Sequence, residues 1–135
     1  MLFSAGKKTI FLPFVLLTSL VKFEPKVVFS WHLSITFGLE ELVDNGMPSP
    51  AEKQKIDETG ARFDACLKAD GNSLFLARIT WNGTRQLIYR VYEPETANTF
   101  LTNLVENGSE REFAFNMQYD DNWELAQYYL QALHS

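Results

Sequence analysis

ITWNGTRQLIYRVYEPET, residues 79–96, reads as two strand-like runs hinged on Asn82-Gly83. A two-residue type I′ turn needs positive φ at both positions, which asparagine and glycine tolerate best. The spacing therefore predicts a β-hairpin over 73–81 and 84–92. Turn length also decides which side chains share a face. Phe75, Ala77, Ile79 and Trp81 are expected beside Thr84, Gln86, Ile88 and Arg90. Leu74, Leu76, Arg78 and Thr80 are expected beside Arg85, Leu87, Tyr89 and Val91. Neither face is wholly polar. One meets helices, and the apolar residues of the other call for cover by the N-terminal segment, the terminal helix or a second subunit.

Upstream, Val27, Phe29, Trp31, Leu33, Ile35 and Phe37 alternate with more polar neighbours, the period of a strand with one buried face. After the loop at 44–50, Ser49-Pro50-Ala51-Glu52 opens a helix with a capping box and a proline at its first position. Ile56, Gly60, Phe63 and Leu67 share one face of it. Downstream, Pro94 starts a second helix with Ala97, Phe100, Leu101, Leu104 and Val105 turned inward, and Asn107-Gly108 stops it. A strand over 111–119 follows. A second capping box, Asp121 to Glu124, then launches a terminal helix through Ala126, Tyr129, Leu130 and Leu133. The order β-α-β-β-α-β predicts an α+β, ferredoxin-like antiparallel sheet with a C-terminal helix and an extra N-terminal apolar segment.

The chain divides into that N-terminal segment, residues 1–26, and a single domain, residues 27–135. Lys7-Lys8 and the apolar run after them resemble the first parts of an export signal. No small-x-small cleavage site follows, and the run is shorter than the roughly 20 residues that span a bilayer. Packing or an oligomer contact is the expected role, with an exported or membrane-anchored protein as the alternative.

Twelve basic against 17 acidic residues give a net charge of −5, which disfavours nucleic acid as a partner. The single cysteine, Cys66, precludes an internal disulfide and suits a cytoplasmic protein. His32 and His134 make no zinc pattern with it. There is no phosphate-cradling glycine loop and no serine elbow. No catalytic residue, metal ligand or cofactor is expected, and an enzyme is the less favoured reading. Arg78, Arg85, Tyr89, Asp121 and Trp123 are the candidate binding residues, placed around the non-helical face of the sheet. The competing structural reading is that strand arginines lay their stems over apolar neighbours and pair with local acids.

Three stretches together resemble a bacterial family catalogued as domain of unknown function 695: NGMPSPAE at 45–52, the hairpin, and YDDNWELAQYYL at 119–130. The shared pattern falls on Gly83, Arg85, Tyr89, Asp120, Trp123 and, slightly displaced, Tyr128. The hairpin and carboxy-terminal parts are also similar to the regulator of ribonuclease activity B family. That likeness implies a small cytosolic protein that inhibits ribonuclease E by direct binding. The chain departs from these patterns around Thr59-Gly60-Ala61, where an acidic cluster is usual, and it lacks the regulator's strongly acidic segments. The functional expectation is a non-enzymatic interaction or regulatory module with a protein partner, itself a homodimer. The alternative is a small-ligand binder or unrecognised enzyme with a pocket beside the sheet. On the leading reading, Arg85→Ala weakens partner binding and leaves the melting temperature nearly unchanged.

Overall fold

The computed structural model describes residues 2–5, 8–11 and 29–130. Along the chain lie β1 (Leu2–Ala5), β2 (Lys8–Phe11), β3 (Trp31–Gly38), α1 (Pro50–Leu67), β4 (Ser73–Trp81), β5 (Thr84–Val91), α2 (Pro94–Asn107), β6 (Phe113–Tyr119) and α3 (Gln127–Leu130). The strands form one antiparallel sheet in the order β1-β2-β4-β5-β3-β6. Its last four strands have the ferredoxin-like arrangement, and the β1–β2 hairpin extends the sheet beyond β4. The expected strand residues Val27 and Val28, most of the N-terminal apolar run, and Leu133 and His134 lie outside the described residues. Among the described residues no helix is long and apolar enough to cross a membrane.

Local chemistry sets the element ends. Asn82 and Gly83 take φ of 46° and 79°, the left-handed geometry of the predicted tight turn. The loop before α1 docks on that turn. Gly83 donates its amide hydrogen to the Gly46 carbonyl at 2.8 Å, and a Cβ at Gly46 would lie 2.9 Å from Asn82 Cα. Ser49 Oγ accepts from the Glu52 amide at 3.2 Å and Pro50 opens α1, as the sequence predicts. The reciprocal half of that capping box is absent. The Glu52 carboxylate accepts instead from the amides of Glu40 and Glu41.

Helices α1 and α2 cover one face of the sheet. Leu33, Ile35 and Phe37 of β3 and Leu87, Tyr89 and Val91 of β5 pack with Ile56, Phe63 and Leu67 of α1 and Ala97 and Leu101 of α2. Val105, expected to point inward from α2, is 57% exposed. A second cluster fills the opposite face: Leu76, Ala77, Ile79 and Ile88 under Trp123 and Ala126, with Phe29, Leu74 and Tyr129 at its margin. Cover of the apolar sheet face is thus supplied by the closing segment. The rest of that face carries the exposed Ala114, Asn116 and Gln118 of β6 beside Ser34, Thr36 and Gln86.

The hairpin register holds from Trp81–Thr84 to Ala77–Ile88 and then breaks at a bulge between Phe75 and Ala77. A bulge sets two residues against one and reverses the facing of what lies beyond it. Leu76 therefore joins Ala77 and Ile88, whereas Phe75 turns to Tyr89, with ring centroids 5.3 Å apart. These facings correct the regular alternation expected from the sequence. Phe29 likewise packs in the second cluster rather than with Leu33.

Candidate functional site

Arg85 and Tyr89 lie on one face of β5, four residues or about 13 Å apart along the strand. Asp57 and Asp64 lie on one face of α1, seven residues or about 10 Å apart along the helix axis. The two spacings match closely enough for both pairs to close. Arg85 Nη1 donates to Asp57 Oδ1 at 2.7 Å and its Nε to Thr80 Oγ1 at 2.9 Å, while the Tyr89 hydroxyl donates to Asp64 Oδ1 at 2.6 Å. Burial, and then the hydrogen bond to Asp64, push the Tyr89 phenol far above its ordinary range. Burial alone would raise Asp57, yet hydrogen bonds from Arg85 and Lys53 hold its carboxyl below the usual carboxylate range. These contacts staple α1 to the hairpin.

Beside the staple a cleft of about 180 Å³ opens between α1 and the sheet, walled by Asp57, Asp64, Phe75 and Arg78. Gly60 forms part of its floor, where an added Cβ would meet only Leu87 Cδ1 at 3.8 Å. Arg78 lies 3.9 Å from Asp57, and burial followed by the neighbouring Arg85 charge lowers its pKa. A drug-sized ligand needs roughly 300 Å³ or more, so this cleft suits a single small group.

Trp123 is fully buried on the opposite side of the sheet, in the segment that closes the second cluster. Its indole N–H donates to the Phe29 carbonyl at 2.9 Å, and the buried Arg90 guanidinium lies 4.6 Å from its ring centroid. Arg90 also donates to Asp120 Oδ2 at 2.9 Å and to the Phe29 and Asp120 carbonyls. Asp120 further accepts the amides of Glu124 and Leu125 at 3.0 and 2.9 Å. The expected cap at Asp121 is therefore supplied by Asp120, one residue earlier, and Asp121 is exposed. The helix expected from Asp121 is delayed to Gln127 because Trp123 takes a left-handed backbone, φ 59°, that turns its ring under the chain.

The five candidate binding residues thus do not share a surface. Arg78, Arg85 and Tyr89 belong to the helical side, and Trp123 and Asp121 to the closing segment on the other. The placement of Arg85 and Tyr89 on the non-helical face is corrected: at two-residue intervals either side of Leu87 they share its face and point to α1.

Two buried polar assemblies have no counterpart in the motif reading. His32, expected on a polar face, is buried; its Nδ1 accepts from Arg90 Nη1 at 3.2 Å, and its ring stacks on Tyr129. Burial, then the Arg90 charge, hold it down at about 4, partly opposed by Asp120. Elsewhere Arg111 grips Glu52 through both terminal nitrogens, Nη2 at 2.7 Å and Nη1 at 3.1 Å, and donates to the Gly38 carbonyl. The hydrogen bond from Arg111 leads the influences that hold Glu52 below the usual carboxylate range. The one sequence signal for either assembly is an arginine or histidine alternating into an apolar strand face. Among the described residues no cluster of histidine, cysteine and carboxylates could hold a metal ion.

β6 is one of the sheet's two outer strands, β1 being the other, and among the described residues nothing pairs with its free edge. Phe113–Tyr119, FAFNMQY, contains no charge, proline or bulge, the devices that ordinarily blunt such an edge.

The sequence profile of a family of unknown function (DUF695) matches residues 17–133. The chain belongs to this family. No curated protein and no solved structure matches it. In this DUF695 chain the positions that carried the resemblance have visible structural work. Gly46 and Gly83 dock a loop on a turn, Arg85 and Tyr89 staple α1, and Asp120 and Trp123 close the second cluster over Arg90.

Proposed function

We propose that the protein is a cytosolic, non-enzymatic interaction or regulatory module that works by protein–protein contact at the outer edge of β6. The observation that carries this reading is the edge itself: seven residues of uncharged strand that no other described residue pairs with on its outer side. An extended partner gains main-chain hydrogen bonds there, and the side chains beside the strand supply selectivity. Two further features support it. The buried ionisable side chains are engaged with one another in structural pairs, and action by direct binding is what the resemblance of the hairpin and carboxy-terminal motifs to the regulator of ribonuclease activity B family implies. A photo-crosslinking residue at Ala114, beside the edge, should trap a protein in cells, whereas one at Glu106 on α2 should not. Equal trapping at both positions, or none at Ala114, would overturn the reading.

Small-ligand binding is the second reading, favoured by the cleft that Gly60 leaves open. It predicts a rise in melting temperature with a small ionic ligand that Gly60→Leu abolishes, and no such ligand in a screen of small anions and amines would remove it.

A further inference from the structure

The exposed edge of β6 has a knob at one end and a hole at the other. Tyr119, 57% exposed, closes the strand. Next to Phe113, at its start, an open groove of about 450 Å³ runs between α2 and the strand, lined by the apolar Leu104 and Val105, by Gly108, and by the polar Ser109, Arg111 and Glu112. Val105, also 57% exposed, gives the groove an apolar rim, and a Cβ built on Gly108 would meet nothing within 4 Å.

We infer that the edge is occupied by a second copy of this chain, joined by antiparallel β6–β6 pairing about a two-fold axis through Asn116. This rests on the reading of the β6 edge as the contact surface and names its partner. An antiparallel strand can pair with its own copy over its full seven residues only if the axis passes through the middle one, Asn116. Phe113 then faces Tyr119 of the partner subunit, Phe115 faces the partner's Met117, and Ala114 faces the partner's Gln118. Directly opposed residues in an antiparallel ladder project to the same side. The partner's Tyr119 therefore emerges on the helical side beside Phe113, at the mouth of the Leu104–Val105 groove. One two-fold operation fills both grooves, as an isologous interface requires.

Charge and register agree with this occupant. No charged side chain lies within the ladder, so a copy meets no repulsion there. Sliding by two residues removes pairs at the ends and carries Tyr119 away from the groove. Sliding by one turns the aromatic residues to the wrong face.

The test uses the full chain and sedimentation equilibrium. The wild type should sediment at twice the 15.5 kDa of one chain. Asn116→Lys and Asn116→Asp each set like charges against themselves across the axis and should weaken association about tenfold at low salt. An equimolar mixture of the two should restore the dimer as a heterodimer. Asn116 is exposed, so far-UV circular dichroism should match the wild type, and melting should match it at dilutions where the wild type is itself monomeric. A second pair tests the register independently: Ala114→Lys with Gln118→Lys should abolish the dimer, and Ala114→Lys with Gln118→Asp should strengthen it. A monomeric wild type, charge variants that dimerise as well as the wild type, or a mixture that fails to re-associate would overturn the inference. A monomer that still crosslinks another protein at Ala114 would overturn the second-copy partner alone; a monomer without that crosslink would remove the edge reading as well.

Discussion

Lowering the pH should destabilise this protein through His32 before its carboxylates are involved. The imidazole is buried, accepts a hydrogen bond from Arg90 on Nδ1 and stacks on Tyr129. Protonation would set an N–H donor against the guanidinium donor and a positive charge against Arg90, with Asp120 giving partial relief. The folded protein therefore holds the proton off until about 4, whereas the unfolded chain takes it up near 6.5. Between those values the unfolded state binds more protons, so stability is complete above 6.5 and falls as pH drops toward about 4. A displacement of that size corresponds to about 3 kcal/mol, a large share of the roughly 5–15 kcal/mol of a typical domain. Asp120, Asp57 and Glu52, held below their ordinary values, lose their contributions in the same direction but at lower pH. Urea unfolding across a pH series would measure the slope, and His32→Asn, which retains an acceptor near the Nδ1 position, should flatten it between 6.5 and 4. A wild type with constant stability through that window, or an equal slope in His32→Asn, would refute the reasoning.

Three other perturbations have defined outcomes. Glu52→Gln leaves the buried Arg111 with only the exposed Glu40, 3.6 Å away, as a charged partner and should cost about 3 kcal/mol in urea unfolding, with much of the loss recovered when Arg111→Met is added. Arg85→Ala removes the bonds to Asp57 and Thr80 and should lower the melting temperature by a loss of about 2 kcal/mol, replacing the expectation of a near-silent change; an unchanged melting curve would contradict the staple. Asp120→Asn should cost at least about 2 kcal/mol, because it removes the charge opposite the buried Arg90, whereas Asp121→Asn at the exposed neighbour should fall within about 0.5 kcal/mol of wild type in the same assay.

What could be read from the chain was local. Asn82-Gly83, Ser49-Pro50 and the apolar periods of α1, β3 and α2 each act within a few residues, and together they specify the order of elements. The misplaced features depend on contacts distant in sequence. The hairpin's faces were both mixed, so alternation alone did not say that Arg85 and Tyr89 would turn to α1; Asp57 and Asp64, 28 and 25 residues away, settle that. Glu52 occupies a capping position and invites a capping reading, but its partner Arg111 stands 59 residues on. The bulge before Ala77 and the left-handed Trp123 arise where the sheet's second face is closed by the carboxy-terminal segment, a tertiary fit with no local signature. The candidate binding residues carry the chemistry of binding, and most of that chemistry is used to hold the fold together. The β6 edge has no sequence signal for the opposite reason: a neutral, alternating strand looks ordinary until its place in the sheet is known.

Amide hydrogen exchange along Phe113–Tyr119, followed through a dilution series, tests the central claim most directly. Alternate amides of an edge strand point away from its neighbour and exchange quickly unless another strand bonds to them. The account predicts that these outward amides become protected as concentration rises, while amides of α2 and the β3-facing amides of β6 keep their rates. Outward amides that exchange equally fast at every concentration and in cell extract would contradict it.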